Sequence, residues 1–290
     1  MKTKHWIAFI SLGVIWSSSF LWIKIGVQEA SPVVLVAFRM LFGVLAAGGV
    51  ALIQGLQWPR DWKTWRTFMI LGPTSIAIPV FLISWGEQSI DSAVASILNA
   101  TVPIFTLVIA HFFLHDDKMS HQKVLGLLTG FAGIVILLSE DLRHAQPGSL
   151  LGEAAVILAA LFYAASGVYA RKATQHVQGA VRGASALITA ALFMWLVGPL
   201  VQRPFTIPVL PITWVAALWL GVLGSGVAMI LNYYLLHEIG PTRTVLVTYI
   251  FPPGGVLLGV IFLGEQLTWQ LFAGGLLVVA SLVIVNWKRQ

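Results

Sequence analysis

The chain has 290 residues, of which 58% are hydrophobic and 10% charged, and its mean hydropathy is +0.88. So little polar surface excludes a water-soluble globular fold and leaves an integral membrane protein. The net charge of +6 is spread over short loops, which argues against a nucleic-acid partner, and the absence of Cys removes disulfides, thiolate ligands and thiol nucleophiles from consideration.

In chain order the apolar runs cover about 6–26, 32–53, 65–86, 92–114, 121–139, 149–171, 181–201, 212–236, 242–263 and 268–287. Each approaches or exceeds the roughly 20 residues that cross hydrocarbon as a helix, and strand-like alternation is absent. The sequence therefore predicts an all-α integral membrane protein with ten transmembrane helices. The first run follows Lys2 and Lys4 like a signal peptide, but no small-residue cleavage site ends it, so it is read as a retained span. Breakers mark the boundaries: Ser31-Pro32, Trp58-Pro59, Gln146-Pro147-Gly148, Pro204, Pro208, Pro211 and Gly240-Pro241.

Lys and Arg set the orientation. One side holds Lys2, Lys4, Arg60, Lys63, Arg66, Lys118, Lys123, Arg171, Lys172, Arg182, Arg243, Lys288 and Arg289, whereas only Lys24, Arg143 and Arg203 lie near the other. Both termini are expected in the cytoplasm.

The chain is also doubled. A shift of 149 carries Asn99 onto Thr248, Pro103 onto Pro252, Leu114 onto Leu263 and Asp116 onto Glu265, and it relates Gly72 to Gly221. A shift of 147 pairs Trp16, Ser19, Trp22 and Lys24 with Tyr163, Ser166, Tyr169 and Arg171. The repeats are expected over 6–139 and 149–287, with five spans each. An odd number of spans makes the second half enter from the opposite side, so the repeats are inverted. Inverted halves usually hold a substrate between them near the midplane and work by alternating access.

These residues carry a resemblance. The two five-helix repeats, the proline in spans four and nine, and the Leu263-Gly264-Glu265-Gln266 turn before a Gly-rich span resemble the drug/metabolite transporter superfamily, specifically its ten-helix EamA-type exporters. Within that group the chain looks most like the YddG-type exporters of aromatic and other neutral amino acids in the bacterial cytoplasmic (inner) membrane. The first repeat departs from the turn motif, with Leu114-His115-Asp116-Asp117 in its place. The acid at this position is therefore read as shaping a turn and not as a transport residue.

Depth selects the candidate path. Trp16 lies ten residues into the first span, about 15 Å along a helix and so near mid-membrane, and Tyr163 is comparably deep in the sixth. Trp6, Trp58, Trp62, Trp65, Trp214, Trp269 and Trp287 instead suit interfacial belts. Lipid-facing or core placement stays open for Trp16 and Tyr163, with their repeat relationship pointing to a cavity together with Ser19 and Ser166. Asn99 and Thr248 are small polar positions whose buried groups need partners that a substrate can supply. Gly126 to Gly130 and Gly255 to Gly259 read as helix packing. Pro79, Pro103 and Pro252 remove backbone hydrogen bonds within spans and leave bends. Asn232 and Tyr249 complete the candidate path. Arg39 reads either as a counter-charge for a carboxylate substrate or as a snorkelling cation.

No acidic residue is read at mid-depth, so a carboxylate proton relay is not visible. The expected activity is facilitated export of a neutral or aromatic amino acid without ATP, with a broad-specificity drug or metabolite exporter, proton-coupled or not, as the alternative. No HExxH pattern, Lys-bearing phosphate loop or ring of charges suggests an enzyme or a channel. No cofactor or metal is expected, the partners are a small-molecule substrate and lipid, and the oligomeric state stays open.

Overall fold

The computed structural model describes residues 2–113, 121–144, 148–174, 177, 179–239 and 244–286, and among them there are helices and no strand. The spans are α1 (Thr3–Gly26), α2 (Pro32–Ile53), α3 (Trp62–Gly86), α4 (Ser92–Phe113), α5 (His121–His144), α6 (Ser149–Ala173), α7 (Gly179–Val201), α8 (Pro211–Leu235, helical to Ile239), α9 (Leu246–Leu263) and α10 (Trp269–Asn286). Nine of these are long and apolar enough to cross a membrane, and the tenth, with its apolar stretch Trp269–Val285, is shorter. Ten helices in two inverted repeats of five make up the fold. The Leu114-to-Asp117 turn, Ser120, Arg243 and Trp287 lie outside the described residues.

Local chemistry starts and stops these helices. The Ser31 hydroxyl accepts the Val34 N–H at 3.4 Å beside Pro32 in the first turn of α2. The Asp61 carboxylate accepts the Thr64 N–H at 2.7 Å at the start of α3. Gly264, with φ +68°, ends α9 in the left-handed region that a residue without Cβ adopts freely.

The repeat is visible atom by atom. Trp65 donates its indole N–H to the Pro59 carbonyl at 2.9 Å, and 149 positions later Trp214 does the same to Pro208 at 3.0 Å. Gly72 is where α3 meets α7, since a Cβ there would come 2.6 Å from the Ala190 nitrogen. Its mate Gly221 is where α8 meets α2, 2.8 Å from the Arg39 carbonyl oxygen by the same construction. Helices with no hydrophobic drive to associate inside lipid use such small residues for van der Waals approach. The α5–α10 contact follows this rule, with Gly133 and Gly274 each set against the other's carbonyl at 2.8 Å from an added Cβ. Gly126 and Gly130 also face α10, as the packing reading expects.

Four spans are irregular, and apart from a π turn at Gly259–Leu263 that ends α9 the irregularities pair up. α3 has a π turn at Pro73–Ala77, and α8 has one at Trp219–Val227 that contains the positions 149 further on. α4 is helical over Ser92–Asn99, turns through Ala100 and Thr101, and resumes at Val102. α9 starts as a 3₁₀ stretch, Val245–Ile250, and becomes an α-helix at Phe251. Pro103 and Pro252 each sit in the first turn of the resumed helix, where a missing N–H costs least.

Candidate substrate cavity between the repeats

The broken helices meet around a cavity of about 280 Å³. α1 contributes Trp16, Ser19, Phe20 and Ile23, which repeat at the spacing of one helix face. α4 and α9 contribute Asn99 and Thr248 at their breaks, and α6 contributes Tyr163. α2 contributes Arg39. Six of the sequence candidates, Trp16, Ser19, Arg39, Asn99, Tyr163 and Thr248, therefore share one wall-to-wall space.

Polar groups in this space are placed by backbone irregularity. The π turn of α8 presents the Gly224 carbonyl, which accepts the Trp16 indole N–H at 3.2 Å. It also presents Ser225, whose hydroxyl accepts from Arg39 Nε at 3.1 Å and donates to the Leu220 carbonyl at 3.1 Å. Arg39 is 7% exposed and borders both the cavity and Tyr163. It is thus neither a headgroup-seeking cation nor a lipid-facing one: its fork is held inside the protein with one nitrogen engaged by Ser225. The neighbouring helix α7 supplies Leu187, so the cation has hydrocarbon beside it in the lining.

Asn99 Oδ1 is buried with no hydrogen-bond partner. An amide oxygen left so costs about 1–3 kcal/mol unless a ligand satisfies it. The remaining lining is apolar and aromatic, including Phe251, whose ring stands edge-on to Trp16 at 5.8 Å between centroids. Among the described residues, no acidic side chain lines this space.

The other candidates lie elsewhere. Pro79, Pro103, Ser166, Asn232, Tyr249 and Pro252 are outside the lining. Pro79 follows the π turn of α3 and supports Val80, which does line the cavity. Tyr249 turns its hydroxyl to the Leu282 carbonyl of α10, away from the cavity. Ser166 is 5% exposed on α6. Tyr233, next to Asn232, packs on Gly179 and Gly183 of α7 with the Arg182 guanidinium 5.2 Å from its ring centre. Sequence reasoning missed Phe20, Ile76, Val80, Ile83, Leu187, Ser225, Met229 and Phe251. The α1 residues could have been found from their spacing to Trp16, whereas Ser225 was hidden by the π turn.

The two ends of the bundle differ. At the end carrying the first helix's start, His5 Nε2 is 3.0 Å from Glu238 Oε2, with Lys4 at 3.8 Å, so α1 is tied to α8. At the far end lies a second cavity of about 560 Å³ bordered by Lys24, Asp91, Glu153, Glu265 and Gln266. The Lys24 amine donates to the Glu87 and Ile90 carbonyls at 2.8 and 2.7 Å, which closes the α3–α4 turn over α1.

Known proteins are similar to this chain in sequence and in fold. Residues 4–139 and 150–287 each match the EamA-like transporter family. The chain is 26% identical to YedA, an uncharacterized inner membrane transporter of Escherichia coli (strain K12), over 97% of this chain and 90% of that one. It is 23% identical to YoaV, an uncharacterized transporter of Bacillus subtilis (strain 168), over 96% and 95%. It is 22% identical to a probable terminal-alkyne amino-acid exporter of Streptantibioticus cattleyicolor, over 96% and 92%. A protein of known crystal structure superposes with a TM-score of 0.71 at 19% identity over 98% of both chains, a likeness of fold.

Proposed function

The chain belongs to the EamA-like transporter family, and on that premise we propose that it exports neutral amino acids, aromatic ones foremost, by alternating access without ATP. The carrying observation is one cavity that pairs a buried guanidinium, Arg39, with a partnerless amide oxygen, Asn99 Oδ1. A zwitterion satisfies both at once: its carboxylate takes charge-assisted bonds from Arg39, and its ammonium donates to Asn99. Trp16, Phe20, Tyr163 and Phe251 receive the side chain by ring contact. The volume of about 280 Å³ suits one small metabolite. The amino-acid exporter among the similar proteins points the same way, and so does the YddG-type resemblance.

The cycle has the inverted repeats rocking about the breaks of α4 and α9, with the cavity opening to one side at a time. The bias of Lys and Arg supports cytoplasmic termini, and the likeness to an inner membrane transporter supports the bacterial cytoplasmic membrane. A hydrophobic drug cation is the weaker substrate, since among the described residues no Asp or Glu lines the cavity to receive its charge.

Purified protein in liposomes preloaded with one radiolabelled amino acid at a time tests this reading. Saturable release of tryptophan, phenylalanine or a neutral aliphatic amino acid is expected. A folded preparation that moves none of them, but moves a drug or another metabolite, overturns the substrate class.

A further inference from the structure

Glu87 is the first residue beyond α3 and is 0% exposed. Neither of its carboxylate oxygens has a hydrogen-bond partner. Its burial is built in: Gly86 beside it lies so close to α6 that an added Cβ would stand 2.6 Å from the Gly152 carbonyl oxygen. In the sequence Glu87 falls at the turn that follows the third apolar run, and α6 covers it there.

The charged groups around Glu87 come from several elements. Lys24 of α1 is already committed to two main-chain carbonyls, one of them that of Glu87 itself. Glu265 of the α9–α10 turn spends both oxygens on the Ser92 and Ala93 N–H groups. Asp91 of the same α3–α4 turn and Glu153 of α6 border the far-end cavity. Arg39 of α2 acts on Glu87 electrostatically from the central cavity and is also within electrostatic range of Tyr163. Glu87 stands one helical turn beyond Ile83, which lines the central cavity with Arg39, and it feels one cation from each cavity, Lys24 and Arg39.

We propose that Glu87 is a proton-binding site linked to the central cavity through Arg39, so that docking of a carboxylate-bearing substrate on Arg39 drives proton uptake at Glu87. The link to the substrate rests on the function proposed above; the proton site does not. In the empty carrier the Glu87 anion and the Arg39 cation offset one another across the cavity wall. A substrate carboxylate then takes over Arg39, and the Glu87 anion, left in a dry site without a donor, binds one proton from water onto one carboxylate oxygen. When the substrate leaves, the proton leaves. Burial holds the Glu87 carboxyl well above the usual carboxylate range; the Lys24 charge opposes the rise, Glu265 adds to it, and Arg39 and, least, the Lys24 main chain oppose it. The proton is exchanged at the far end, where Glu87 lies, so the linkage operates without a proton crossing the membrane.

Infrared difference spectroscopy of the unliganded protein titrated with acid tests the site directly. A protonated-carboxyl band that appears on acidification in the native protein, and is absent from Glu87→Gln, is expected. No such band at any pH at which the protein stays folded overturns the site, and that result needs no variant. Calorimetry of tryptophan binding in buffers of different ionisation heat tests the linkage: about one proton taken up per substrate, with affinity falling about tenfold per pH unit above the titration of the empty carrier. Glu87→Gln removes both effects while still binding. Binding with no proton uptake and no pH dependence overturns the linkage and leaves the exporter reading standing. Absence of binding by any amino acid sinks the exporter reading and the linkage together, while the infrared titration still decides the proton site.

Discussion

Glu265 accepts the Ser92 backbone N–H at 2.7 Å, and the same carboxylate takes the Ala93 N–H at 3.0 Å. An acid of the second repeat therefore caps the N-terminus of α4, a helix of the first. Loss of a helix cap costs about 0.5–2 kcal/mol. Glu265→Ala is expected to lower stability by about 1 kcal/mol, and Glu265→Gln by less because it keeps one acceptor. Thermal unfolding in detergent, followed by tryptophan fluorescence, reads this. An alanine variant as stable as the native protein would show that the cap contributes nothing.

Asn99→Ala separates a binding role from a structural one. The partnerless Oδ1 is a burden in the empty protein, so its removal should leave thermal stability unchanged or raised. Affinity for a neutral amino acid should fall by roughly 5- to 30-fold through loss of about 1–2 kcal/mol. A variant that loses stability and binding in proportion would place Asn99 in the packing instead.

Arg39→Gln should cost more. Hydrogen bonds to a charged group contribute about 1.5–3 kcal/mol, which is roughly 10- to 150-fold in affinity. Arg39→Lys should recover part of it, because the charge returns but the planar fork does not. Counterflow in liposomes measures both, and unaltered transport by Arg39→Gln would remove this residue from the site.

The pseudo-symmetric glycines make a matched pair. Gly72→Ala would bring a Cβ to 2.6 Å from the Ala190 nitrogen, and Gly221→Ala would bring one to 2.8 Å from the Arg39 carbonyl oxygen. Each should destabilise by about 1–3 kcal/mol as helix pairs are forced apart. Gly48→Ala, where an added Cβ meets nothing within 4 Å, serves as the control and should be neutral or stabilising. Equal tolerance at all three positions would refute the close approaches.

Glu29 supplies a pH signature. In the first repeat Asp61 caps its own helix; 149 residues on, Leu210 has no side chain to do so. Glu29 reaches across instead, accepting the Val209 and Leu210 N–H groups at 2.6 and 2.9 Å and the Thr213 hydroxyl. The Thr213 hydroxyl above all holds its carboxyl below the ordinary range; burial, the next largest effect, opposes it, and the Leu210 and Val209 N–H groups add to the lowering. Its stabilising contribution is therefore present at neutral pH and fades as pH falls through that range into more acid conditions. Glu29→Gln should flatten this part of the acid stability profile in detergent, and an unchanged profile would contradict the assignment.

Much of this was readable from the chain. Apolar run length placed the ten spans because hydrocarbon leaves a backbone few options besides a helix. The repeat offset, joined to depth, brought Trp16 to Tyr163 and Asn99 to Thr248 before any contact was known. Facing was harder. On a helix that is apolar all round, nothing in composition says that Ile76, Val80 and Met229 look inward while Leu128 looks out. Ser225 escaped notice because its π turn breaks the 3.6-residue count. Glu87 escaped because its cover comes from α6, far along the chain.

The π turn of α8 leaves a span that is one helix to the eye and two in phase. An extra residue wound into such a turn advances all that follows by about 100° relative to a plain α-helix. Above it, Thr213 is fixed to Glu29 of the α1–α2 turn; below it, Leu235 and Glu238 are fixed against α1. The turn is the bearing between those two anchorages. If the extra residue moved one place along the span, the cavity would be offered a different α8 carbonyl and hydroxyl while both ends stayed where they are.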